Sequence, residues 1–224
     1  MAPLLKEIER DVRAINLYPV AVKEDAKGAA MERLRKAYSR SGDSVRQHIL
    51  FLIHESVAQV AEMKALQTYE YSRVKSPKSS PGAVRMSVYK SMFDYTSSIE
   101  GIVGLVRLLG GLKCGSEDDA AAKLLTHLFS HFCASESEIN RMLRNAAIEA
   151  LGESDSPYAL NALLEYARFS DNERLFGRLA SALADWNDKI GRLDIHPAEK
   201  QRLKEELREM QEALIHEEKP TQYG

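Results

Sequence analysis

The stretch "RNAAIEALGESDSPYALNALLEYARFSDNERLFGRLASALAD", residues 144–185, decides how this chain is read. Apolar residues recur every three or four positions, which is the period of a helix with one buried face. Two short polar breaks, around 153–156 and 169–172, interrupt the pattern, so it reads as three consecutive helices of similar length. Ser156 followed by Pro157 fits an N-cap before a first-turn proline. Gly152 fits a C-terminal stop, and Asp171 a cap for a helix over 172–187.

The same period extends in both directions. Helices are expected over 3–16, with Leu4, Leu5, Ile8, Val12 and Ile15 on one stripe, and over 23–39, with Ala26, Ala30, Leu34 and Ala37 inward. Residues 44–75 hold neither Gly nor Pro, and read as one long helix or two joined near 62–65, with Leu50, Ile53, Val57, Val60, Met63 and Ala65 in a buried stripe. "KSPKSSPG" (75–82) breaks the pattern as an exposed, mobile loop. Further helices follow over 83–95, 98–110, 117–133 and 136–151. The segment 98–110 is apolar nearly all round apart from Arg107, the mark of a buried helix. Capping boxes fit Ser97 with Glu100 and Ser135 with Glu138. Pro197 opens the last helix, 197–217, after the linker "GRLDIHP". No convincing strand is found, so the fold class is all-α.

Composition agrees. With 44% apolar and 29% charged residues, the 224-residue chain has the balance of a globular protein, and 12 Gly and 7 Pro are few for its length. Two cysteines, Cys114 and Cys133, make no disulfide framework, and the start turns charged too soon for a secretory signal. These features point to a cytoplasmic protein with no membrane partner. The net charge of −2 conceals a polarity. Residues 1–113 carry 18 Lys+Arg and 12 Asp+Glu, whereas 114–224 carry 13 and 21. Such polarity steers charged partners or head-to-tail contacts.

Helices of about 14–18 residues joined by short turns stack as antiparallel pairs, because one helix cannot bury its stripe alone. One sub-pattern recurs, an apolar residue, then Arg, then apolar positions at helical spacing. It appears as "VRQHILFLI" (45–53), "VRMSVYKSMF" (84–93), "LRNAAIEALG" (143–152) and, more loosely, "GRLASALAD" (177–185). The pattern resembles the second helix of HEAT and HEAT-like repeats. The resemblance is best over 136–187, moderate over 43–95 and absent over 1–20 and 190–224. It implies an α-solenoid in which Arg46, Arg85, Arg144 and Arg178 bond toward neighbouring repeats. The alternative is an irregular all-α bundle. Arg46 to Arg85 and Arg144 to Arg178 are spaced near a HEAT period, but Arg85 to Arg144 is not, so an extra helix or an offset intervenes there. The expected organisation is a repeat domain over 1–190, a capping or oligomerisation helix within 191–217, and a flexible tail over 218–224.

No catalytic set assembles. His127 and His131 share a helix face at the spacing of a zinc pair, but the Glu of H-E-x-x-H is replaced by Leu128 and no third ligand is evident. Cys133 lies on another face. HEAT-like deoxyhypusine hydroxylases hold two irons with four His-Glu dyads. This chain has only His54-Glu55 and His216-Glu217. Neither a metal nor a cofactor is expected. HEAT-like DNA alkylation-repair glycosylases need aromatic and acidic cleft residues, and the single Trp186 reads better as closing a core.

Two surfaces invite partners. Arg33, Arg35, Lys36 and Arg40, with Arg73, Lys75 and Lys78, form basic clusters that could meet phosphates. The last helix places Leu203, Leu207, Met210 and Leu214 at heptad-like intervals, as a cap on the last repeat or a homodimer contact. The expected function is a non-catalytic protein-interaction scaffold, with nucleic-acid binding through the basic N-terminal half as the alternative.

Overall fold

The structure is a computed structural model of the chain and describes residues 2–17, 22–74, 99–113, 119–134, 137–169 and 175–217. All regular structure among the described residues is helical. In chain order the helices are α1 (Ala2–Asn16), α2 (Glu24–Arg40), α3 (Asp43–Val74), α4 (99–110), α5 (Ala120–Cys133), α6 (Glu138–Glu153), α7 (Pro157–Phe169), α8 (Phe176–Leu183), α9 (Trp186–Arg192) and α10 (Pro197–Glu217). Contacts divide the chain into two compact units, Met1–Leu105 and Val106–Gly224.

In the first unit α1, α2 and α3 pack against one another. Their buried stripes are Ile8, Val12 and Ile15; Ala30, Leu34 and Tyr38; and Val45, Ile49, Ile53 and Val57. Several expected positions shift. Leu4 and Ala26 are exposed, Leu5, Ala37 and Leu50 are half-buried, and Tyr38, at i+4 from Leu34, takes the inward place. The side chains of Val60, Met63 and Ala65 lie outside the described residues. The stretch 43–74 is a single helix. Gly101 in α4 abuts the backbone of Asn16, where a Cβ would stand 2.7 Å from its carbonyl carbon.

In the second unit α5 packs on α6 and on α7, while α6 packs on α5, α7 and α8. The reason is visible in each stripe. α5 turns Ala121, Ala122, Leu125, Leu128, Phe129 and Phe132 inward, and α7 turns Ala159, Leu160, Leu163 and Leu164 inward. A buried leucine of this kind contributes about 1.5–3 kcal/mol. The hydroxyl of Ser156 accepts from the Tyr158 amide at 3.2 Å, so the expected cap on α7 forms. The cap of α6 is Ser137, whose hydroxyl accepts from Asn140 N at 3.2 Å. The expected Ser135 lies outside the described residues.

Two breaks differ from expectation. α6 runs through Gly152 and ends at Glu153, so Gly152 is no stop. It is a seat, where a Cβ would stand 3.0 Å from Ala182 Cα in α8. Gly110 of α4 seats α6 in the same way, with a Cβ 2.7 Å from Ala150 Cα. Of the helix expected over 172–187, residues 172–174 and the expected cap Asp171 lie outside the described residues, and the rest forms two helices, α8 and α9, turned at Ala184–Asp185. The buried residues Phe176, Leu179, Leu183, Trp186 and Ile190 keep helical spacing straight through that turn, so periodicity does not reveal it. α10 packs on α7, α8 and α9 and buries Leu203, Leu207 and Leu214 there. A dimer through this helix would therefore have to use its charged faces. The segments 75–98 and 218–224, with their expected loop, helix and tail, lie outside the described residues.

Glycines separate two stability effects. Gly110→Ala should destabilise the fold by about 1–3 kcal/mol, because the added methyl meets backbone that has no room to yield. Gly28→Ala, in the middle of α2 with nothing within 4 Å of a built Cβ, should stabilise it by about 0.5–1 kcal/mol by restricting the unfolded chain. Urea titrations of both variants beside the parent check the opposite signs.

Candidate functional site

Half of the basic cluster on α2 is paired within its own unit. Arg33 donates two hydrogen bonds to Asp11 of α1, Nε to Oδ2 at 2.9 Å and Nη2 to Oδ1 at 2.7 Å. Asp11 is 4% exposed, so this is the bidentate pairing a sunken carboxylate needs. The hydrogen bond to Asp11 holds the Arg33 guanidinium above its ordinary pKa. Arg35 pairs with Glu32 at 2.5 Å. Lys36 and Arg40 are exposed. The side chains of Arg73, Lys75 and Lys78 lie outside the described residues.

Three of the four arginines of the sequence pattern are described, and their environments differ. Arg46 joins α3 to the end of α2, donating from Nε to the Tyr38 carbonyl at 3.1 Å and from Nη1 to Asp43 at 3.2 Å. Arg144 is 1% exposed in α6. Arg178, half exposed on α8, donates to Glu149 Oε1 of α6 at 2.9 Å. The other oxygen of Glu149 accepts from Arg107 of α4, at 3.0 and 2.7 Å. Glu149 thus stands between two arginines from the helices on either side. Arg85 lies outside the described residues.

A second set of polar ties gathers where α6 ends. Lys189 of α9 donates to the Gly152 carbonyl and, at 3.0 Å, to the Ser154 carbonyl. It also stands 3.8 Å from Asp155 and 4.9 Å from the centre of the Trp186 ring. A cation here satisfies two carbonyls that α6 leaves over and meets the negative end of its dipole. Asp155 is shared with Lys113, which follows α4. Ser156, before α7, donates to Asp119, before α5. The Lys189 side chain is only 11% exposed, and burial pushes its pKa below the usual lysine value while Asp155 pulls the other way. A desolvated lysine is a recognised nucleophile, but this one is saturated by main-chain acceptors and works as a clamp.

Remaining candidates stay apart. His127 and His131 are both exposed on α5, and His54 is exposed on α3. The side chains of His216 and Glu217 lie outside the described residues. Trp186 is fully buried, as a core-closing residue should be. Among the described residues no group of three or more His, Cys, Asp or Glu could hold a metal ion, and no helix is long and apolar enough to cross a membrane.

A concavity lies along α6 and α8. It is an open groove of about 920 Å³ whose lining includes Lys113, Glu149, Glu153, Arg178, Asp185 and Lys189, over small residues such as Gly177 and Ala182. Except for Arg178, these charges escape the sequence patterns used above. One signal would have found them. Arg107 and Glu149 are 42 residues apart, as are Lys113 and Asp155, and Gly110 and Gly152 share that offset. "LVRLLGGLK" (105–113) and "AIEALGESD" (147–155) thus stand 42 residues apart with a glycine at the same place in each. Comparison with protein-family models, with curated proteins and with solved structures finds no match to this chain.

Lys189 makes a pH-dependent prediction. Its folded pKa lies below the unfolded value of 10.5. Between the two, the unfolded chain holds a proton that the folded chain has released, so stability rises with pH through that window. Below the folded pKa the whole cost of burying the charge is carried. Lys189→Met, which cannot titrate, should be less stable at pH 7 by about 1–2 kcal/mol for the lost carbonyl partners. Its deficit should widen as pH approaches 10.5. Urea denaturation of both proteins across that range reads the difference.

Proposed function

We propose that the chain is a HEAT-like α-solenoid that acts as a non-catalytic protein-interaction scaffold, with α10 as the cap of its last repeat. The observation that carries this reading is the relation between α4, α6 and α8. Gly110 seats α6, Gly152 seats α8, and Glu149 joins Arg107 to Arg178, with the first two helices offset by 42 residues. Like helices on like, repeated along the chain, are the arrangement of a solenoid.

The scaffold reading follows from how the polar residues are used. Most charged groups that come together here tie helix to helix, and extended helical stacks present long surfaces to partners. Nucleic-acid binding through α2 is the weaker reading, because Arg33 and Arg35 already face carboxylates. The test is affinity capture from an extract of the native host, with and without nuclease, followed by mass spectrometry. A stoichiometric protein partner that survives nuclease is expected. Recovery of nucleic acid instead, or of a partner lost on nuclease treatment, would overturn the scaffold reading.

A further inference from the structure

We draw no further inference here: the strongest candidate, the cavity of about 240 Å³ between the end of α4, the start of α5, the turn from α6 to α7 and the linker after α9, sets Lys113, Lys189 and Arg192 against Asp119, Asp155 and Asp194, and among the described residues no buried polar side chain without a partner lines it to show what it would hold.

Discussion

Two close backbone contacts set the geometry of the second unit, Gly110 against Ala150 and Gly152 against Ala182. With no Cβ at the glycine, neighbouring helices approach until main chain meets main chain, and only small residues fit around the contact. α6 supplies them, with Ala146, Ala147 and Ala150 all buried. The polar ties follow from this spacing. Arg107 and Arg178 each reach Glu149 because their helices are drawn close to α6. Lys113, Asp155 and Lys189 meet because helix ends are brought level. Exposed pairs of this kind contribute little individually. Their value lies in register, since a sliding helix would strand all of them together.

The helical class and most helix positions were legible because apolar residues repeat every three to four positions and because Ser156-Pro157 and Pro197 mark starts. What escaped had specific causes. The turn at Ala184–Asp185 carries no Gly or Pro, and the apolar period runs through it. Gly152 resembled a stop because glycine serves equally at a helix end and at a close helix crossing, and only the neighbour at Ala182 distinguishes them. Tyr38 stands among basic neighbours in the sequence, yet its ring is buried while Lys36 and Arg40 on either side are exposed.

Charge was the hardest feature to read. Sequence shows which residues are charged but not which are already answered. Arg33 looked available to a phosphate until its fork closed on Asp11, 22 residues earlier in the chain. Lys189 stood out in no pattern, yet it is the most deeply desolvated cation of the clamp at the end of α6. The arginine pattern followed a side chain, whereas the close contacts of α4, α6 and α8 are set by glycines, Gly110 and Gly152.

That difference bears on function. In a stack of helices, the residues most constrained by architecture are those between helices, and here they include most of the charged groups that come together. Groups that serve a partner must be the remainder, charged or apolar but not consumed by the stack. Along α6 and α8 even the exposed carboxylates Glu153 and Asp185 act on the Lys189 charge, in an open groove whose lining holds as many cations as carboxylates. On α2 the remainder is Lys36 and Arg40, exposed on a helix whose other two clustered arginines are paired.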